Sequence, residues 1–277
     1  MPSVEVLCAT MHQKDFSKID AMNIQSNVVY ANQSDDTRYD EMMFGENQAK
    51  MITTATRGVG INRNLSLLYS SGDYLLISDD DLTYVDGYAD IVKKAFEEIP
   101  DADCIIFNII TIGEDFGRRH NKKSKRVRWY NALNYGAVRL AVKRTSLKRE
   151  GVMFITNFGG GTKYSAGEDT LFICGMLKSG MKLYTHPAVI ASVDQTTSTW
   201  FTGYNEKFYY DKGALFSAIS KPWARALCLQ YLVRHKYYKK NGMKFSSVYR
   251  LMKQGIEGYK TLRTYDQYIE ESGASRK

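Results

Sequence analysis

The stretch YLLISDDDLTY, residues 74–84, decides the reading of the fold. A short apolar run bounded by Gly72-Asp73 ends directly in three carboxylates, Asp79, Asp80 and Asp81. The run reads as a buried strand, because it is too short for a core helix and carries no helical spacing. Adjacent carboxylates repel, and burying them is costly. Two readings fit: a solvated or helix-capping turn, and a cation site just beyond the carboxyl end of a strand. Residues two apart at a strand end point the same way, so Asp79 and Asp81 converge and Asp80 turns aside.

Around this stretch, strand and helix signals alternate. VEVLCA (4–9), NVVYANQ (27–33) and CIIFNII (104–110) read as strands, as does a weaker segment inside NQAKMITTAT (47–56). GVGINRNLSLLYSS (58–71) and DGYADIVKKAFEEI (86–99) carry apolar residues at helical spacing. SDDTRYDE after the second strand reads as a polar turn. The pattern predicts an α/β fold, a mixed, mostly parallel sheet flanked by helices. Beyond residue 110 the pattern changes. Residues 113–130 read as a polar, basic arm and 151–165 as a glycine-rich loop. EDTLFICGMLKSG (168–180) follows as a helix, and strand signal surrounds Pro187. The expected organisation is an α/β domain over 1–205 and a basic, mainly helical extension over 206–277.

The 277 residues carry a net charge of +8, unevenly spread. Arg118–Arg149 holds 12 basic residues and no acidic one; Lys221–Lys277 holds 13 basic and 4 acidic. Such segments suit an anionic partner, either a membrane face, nucleic acid or phosphate-bearing substrates, or a solvated surface. The cysteines Cys8, Cys104, Cys174 and Cys228 are scattered without a CxxC pair, which predicts buried free thiols and excludes a zinc knuckle or redox dithiol. MPSVEVL lacks the basic n-region of a signal peptide, and no apolar run approaches the ~18 residues of a span. The expected location is cytoplasmic, or peripheral on the inner face of the membrane.

Other candidates lie outside the acidic triplet. Glu168-Asp169 opens a helix after a flexible loop, fitting helix capping and a general base equally. Asp35 and Asp36, past the second strand, fit a turn or a nucleobase contact. Arg63 lies near a helix start, where backbone N–H groups and a guanidinium meet phosphate. His186 follows a short strand, within reach of a metal. Trp200 and Phe201 fit stacking on a sugar ring or packing at a hinge. Neither GxGxxG nor GxxxxGK[ST] occurs, which speaks against a Rossmann dinucleotide site and a P-loop.

Four blocks in order resemble glycosyltransferase family 2, the inverting enzymes of the GT-A fold. They are VEVLCAT (4–10), GVGINRNLSLLYSSGDYLLISDDD (58–81), SAGEDTLFICGMLKSGMKLYTHP (165–187) and TTSTWF (196–201). The resemblance implies transfer of a sugar from a nucleotide-sugar donor, UDP-linked, to a hydroxyl of a saccharide or lipid-linked saccharide, in polysaccharide, capsule or lipopolysaccharide biosynthesis. It implies Mn²⁺ or Mg²⁺ held by Asp81 with Asp79 and His186, and Asp169 as general base. Thr10, Asp35 or Asp36, Arg63, Asp79 and Asp80 would line the nucleotide site, and Glu168, Trp200 and Phe201 the acceptor site. The family's histidine after the last core strand is absent here; Asp194, Gln195 and Ser198 stand near that point. The first strand also lacks the proline that often follows it.

Two rivals stand beside this reading. A sugar-nucleotide pyrophosphorylase or other nucleotidyltransferase needs a glycine-rich loop after the first strand, where this chain has ATMHQKDF. A nucleic-acid-binding protein using residues 118–149 leaves both acidic groups unexplained. In the extension two readings fit: Trp223, Leu227, Leu229, Leu232 and Val233 at an anionic membrane interface with Arg234, Lys236, Lys239 and Lys240 on headgroups, or a helix packed on the core with a wet basic edge.

Overall fold

The structure is a computed structural model; it describes residues 1–112, 120–194 and 203–272. In chain order the first elements are β1 (Val4–Met11), α1 (Lys18–Ala21), β2 (Asn27–Gln33), β3 (Arg38–Phe44), β4 (Asn47–Thr54) and α2 (Val59–Tyr69). β5 (Tyr74–Asp79), β6 (Leu82–Tyr84), α3 (Tyr88–Glu98) and β7 (Cys104–Ile112) follow. Then come β8 (Lys125–Arg126), β9 (Leu140–Lys143), α4 (Arg144–Glu150), α5 (Glu168–Lys178) and β10 (Leu183–Asp194). The last helices are α6 (Glu206–Ile219), α7 (Ala224–Arg234), α8 (Phe245–Lys260) and α9 (Tyr265–Ser272).

The chain divides into two compact units. The first comprises Met1–Thr156 and Glu168–Ser198, the second Asn157–Gly167 and Thr199–Lys277. In the first, the strands form a sheet in the order β3-β4-β2-β1-β5-β9-β7-β10-β6, with β8 beside β10. β1 runs parallel to β2 and β5, β2 to β4, and β7 to β10, while β3, β6, β8 and β9 pair antiparallel. The fold is therefore the expected mixed, mostly parallel sheet between helices.

Alternation along the strands fills both faces. Val6 and Cys8 of β1, Val28 and Tyr30 of β2, and Leu76 of β5 pack with Tyr88, Val92, Ala95 and Phe96 of α3. Leu7, Val29, Leu75 and Ile77 point the other way, toward Leu67 of α2, Leu147 of α4, and Phe172, Ile173 and Met176 of α5. Two-sided burial explains why these strands read as continuous apolar runs. From β1 the chain winds to β2 on one side, and later to β5 on the other. The carboxyl ends of β1 and β5 thus lie side by side at a topological switch point, where open sheets of this kind bind ligands.

Four strands differ from the sequence expectation, and one of them, the two-residue β8, lies in the stretch read as a polar, basic arm. β3 occupies RYDEMMF, read as a polar turn; it is an edge strand and mostly exposed, so its sequence carries little apolar alternation. β6 and β9 span three and four residues, too short to leave a periodic signal. β9 nonetheless joins β5 to β7 and completes the sheet.

The second unit has its own core of Tyr209, Phe216, Cys228, Leu232, Val248, Met252 and Ile256. α6 and α8 touch through glycines. A Cβ on Gly213 would lie 2.0 Å from the Met252 carbonyl oxygen, and one on Gly255 1.9 Å from that of Tyr210. In an open helix Gly→Ala is stabilising by up to about 1 kcal/mol. Here the sign reverses: Gly255→Ala is expected to destabilise this unit by about 1–3 kcal/mol through overpacking. Thermal melting by circular dichroism measures it, and an unchanged or raised midpoint would contradict the close crossing.

Candidate functional site

The carboxyl end of β1 is built before the acids reach it. Thr10 is buried, and its backbone oxygen accepts from Asn62 Nδ2 (3.1 Å), which also donates to Ala31 O (2.6 Å). Asn62 on α2 thereby holds the ends of β1 and β2 together. α2 itself approaches through Gly60, where a Cβ would lie 2.5 Å from Ile155 O. Asn64 pins the same segment, exchanging two 2.8 Å hydrogen bonds with the backbone of Phe154.

These contacts place Arg63 at the centre of an acidic group. Its side chain is 3% exposed. Nη2 donates to Asp79 Oδ1 (2.9 Å), and Nη1 to Glu168 Oε1 (3.2 Å) and Asp169 Oδ1 (2.5 Å). The guanidinium also lies 5.4 Å over the Phe154 ring, which stacks on Phe172. Burial opposes its charge, but Asp79, Asp169 and Glu168 outweigh that and raise its pKa, so Arg63 is cationic at any working pH. Its Nε is buried without a hydrogen-bond partner among the described residues. One cation thus joins the end of β5 to the start of α5, which lie 16 to 106 residues from it in sequence.

Asp169 is held at both oxygens, because Oδ2 accepts from the Ala137 backbone N–H at 2.9 Å. A Cβ on Gly136 would lie 3.3 Å from that oxygen, so the glycine leaves room for the carboxylate. Asp80 has separate partners: Thr10 Oγ1 donates to its Oδ2 (2.6 Å), and Lys18 Nζ reaches its backbone oxygen (3.0 Å) and Oδ2 (3.7 Å). The acidic field is felt beneath the site, where the Cys8 thiol is pushed well up, first by burial and then by Asp80 and Asp79. That thiol is inert.

Asp81 is exposed at the turn between β5 and β6. β6 pairs antiparallel with β10, Leu82 opposite Val193. Asp81 and Asp194 are the residues next to that last pair, and both are exposed. Among the described residues no three His, Cys, Asp or Glu side chains converge to hold a metal ion. A cation that arrives on a diphosphate needs only one or two protein carboxylates, and oxygen donors suit Mg²⁺ or Mn²⁺, so this pair fits such an ion.

The structure brings together Thr10, Arg63, Asp79, Asp80, Glu168 and Asp169. His186 does not join them. It lies in the first half of β10, three strands or about 14 Å from β5. Its Nε2 is 3.2 Å from Glu98 Oε2 and its ring tilts against Phe107. The structure thus sets His186 beside Glu98 and Phe107, away from the carboxylates expected to share a metal with it. Arg63 also differs from expectation: its guanidinium is spent on carboxylates rather than turned toward phosphate. Asp35 and Asp36 follow β2 as expected, yet each faces an arginine, Asp35 with Arg57 Nη2 (2.5 Å) and Asp36 with Arg38 Nη1 (3.2 Å). Trp200, Phe201, Gln195 and Ser198 lie outside the described residues, as do Arg118 and Arg119. Lys18 and Ala137 had no sequence signal: one acts through an amine on a four-residue helix, the other through its backbone.

The basic stretch 118–149 is dispersed where it is described. Arg139 is buried and donates to Phe107 O and Asn108 Oδ1. Arg144 donates to Gly72 O, Lys143 to Pro100 O, and Arg126 lies over the Tyr184 ring. These four side chains are spent on the fold, while Lys122, Lys123, Lys125 and Arg128 stay exposed.

Residues 32–159 match the sequence profile of Glycosyl transferase family 2. Over that stretch the chain is similar to glycosyl transferase family 2. Solved structures agree in fold. Residues 1–349 of Staphylococcus aureus TarS in complex with UDP-GlcNAc superpose with a TM-score of 0.61 at 13% identity, over 99% of this chain and 93% of that one. The same fragment with UDP gives 0.60 at 12% identity, with the same coverage. The longer TarS structure gives 0.58 at 12%, over 96% of this chain and 55% of that one. No curated protein sequence matches the chain. The family 2 match is to a glycosyl transferase profile, and the likeness to TarS shows the GT-A fold of this chain.

Proposed function

We propose that this protein is an inverting glycosyltransferase of the family 2 type that moves a sugar from a UDP-linked donor to a hydroxyl of a saccharide or lipid-linked saccharide. The observation that carries the reading is the Arg63 bridge between Asp79 at the donor strand and Asp169 at the head of α5. UDP is favoured as the nucleotide because the TarS structures of the same fold were solved with UDP and UDP-GlcNAc.

In this reading the nucleotide lies across the carboxyl ends of β1 and β5. Asp79 and Asp80 accept hydrogen bonds from its ribose, with Asp80 held in place by Thr10 and Lys18. Asp35 and Asp36 border the base, where either would exchange an arginine for the uracil N–H. Asp81 and Asp194 would hold Mn²⁺ or Mg²⁺. Such a cation supplies positive charge that offsets the charge developing on the departing diphosphate. Asp169 takes the proton of the acceptor hydroxyl as that oxygen attacks the anomeric carbon from the face opposite the diphosphate. The C–O bond to the diphosphate breaks as the new one forms, so the configuration inverts without a covalent enzyme intermediate. Glu168, next to the base and on the same guanidinium, is assigned to the acceptor with Trp200 and Phe201.

The test is a panel of nucleotide sugars with Mn²⁺, reading nucleoside diphosphate release. A UDP-sugar is expected to turn over, and Asp81→Asn is expected to lower kcat/KM by about 100-fold or more. Raising Mn²⁺ should restore part of that loss. If no donor binds in the presence of metal, the nucleotide reading fails; if Asp81→Asn is neutral, the assignment of the cation to Asp81 fails.

A further inference from the structure

α7 leaves one of its faces uncovered. Ala224, Cys228 and Leu232 are buried in the core of the second unit, and Leu227 and Tyr231 pack beside them. Of the five apolar residues expected at an interface, Leu227 and Leu232 are therefore spent on the fold. The other three point outward: Trp223 is 67% exposed, Leu229 45% and Val233 59%. With exposed Ala226, the spacing of three and four residues makes one stripe along the helix. At about 100° per residue, Arg225 borders that stripe on one side and Arg234 on the other.

The charge along the segment that carries the stripe is of one sign, although Arg225 also reaches Glu257 of α8 at 3.8 Å. From Lys221 to Lys253 there are nine basic residues and no acidic one, and all nine are exposed. A second copy of this chain would bring a like-charged surface. A nucleic acid would match the charge and leave Leu229 and Val233 without a partner. A bilayer with anionic lipids satisfies both features. At 11 residues α7 is about 16 Å long, roughly half a hydrocarbon core, and among the described residues no helix is long and apolar enough to cross a membrane.

We infer that α7 is an in-plane docking helix for an anionic phospholipid bilayer. Trp223, Leu229 and Val233 enter the boundary between headgroups and acyl chains, while Arg225, Arg234 and the neighbouring lysines meet lipid phosphates. Two signals act together, as reversible anchoring requires. The docking surface shares no residue with the carboxylate group, so it holds whichever sugar the enzyme transfers.

Flotation of the full chain with phosphatidylcholine vesicles, with and without phosphatidylglycerol, tests it. Binding is expected only with phosphatidylglycerol, and high salt is expected to release it. The surface double variant Leu229→Ser/Val233→Ser should bind about ten-fold or more weakly, because two side chains lose their burial. It should keep the wild-type melting midpoint and the wild-type rate of nucleoside diphosphate release. The inference is overturned if the wild type stays in solution with anionic vesicles at low salt. It is equally overturned if the double variant binds as well as wild type. A wild-type dimer that the double variant dissociates, without vesicle binding, assigns the stripe to self-association and also overturns it. Failure of any of these leaves the donor reaction untouched, since that assay needs no vesicles.

Discussion

Asp169→Asn is expected to lower sugar transfer by about 10²–10⁴-fold while leaving donor binding within about two-fold of wild type. The substitution keeps the shape of the side chain and an oxygen able to accept from Ala137 N–H. It removes the lone pairs that accept a proton. Both carboxylate oxygens are already engaged, one by Arg63 and one by Ala137, so proton transfer goes to a lone pair that these contacts leave open. Binding of the nucleotide sugar by calorimetry and transfer under single-turnover conditions separate the two effects. Full transfer activity in Asp169→Asn would remove the base assignment. A loss confined to donor binding would move Asp169 to the nucleotide side of the site.

How much of this was legible in the sequence differs by element. The strand-to-acid junction at 74–81 was readable because burial on both faces writes a continuous apolar run, and its end marks a ligand-binding edge. The two-residue repeat also identified Asp79 and Asp81 as the outer pair, although they serve different partners. Arg63 could be placed near the site but not understood: its three carboxylates lie 16, 105 and 106 residues away, and only the sheet order brings them to it. Asp194 stood in the sequence as one of several candidates, and the β6–β10 register is what brings it into the proposal. His186 was misleading because a histidine near a strand end carries no information about which strand neighbours it. The α7 residues illustrate the same limit: leucines at 227, 229 and 232 look alike until the helix has a core to turn toward.

Replacing Arg63 is expected to have a different signature from replacing the base, because it supports both sides of the site. In Arg63→Met, Asp79, Glu168 and Asp169 lose a common cation while Glu168 and Asp169 stay partly buried. Removing one partner of such a group costs about 3–5 kcal/mol, chiefly from leaving like charges uncompensated. Thermal melting should therefore show a large loss, and transfer should fall at least as far as in Asp169→Asn. The pH dependence carries the sign. Arg63 does not titrate in the accessible range, so in the wild type it adds no slope of its own. In the variant, protonating a carboxylate relieves the repulsion, and the folded state takes up protons more readily than the unfolded one. Stability of the variant then falls as pH rises, and its deficit against wild type narrows as pH is lowered. Arg63→Lys restores one charge but not the fork that reaches Asp79 and Asp169 together, so it is expected to recover more stability than activity. If Arg63→Met melts like wild type across this pH range, the guanidinium is not what holds the acids together, and the link between donor strand and base is lost with it.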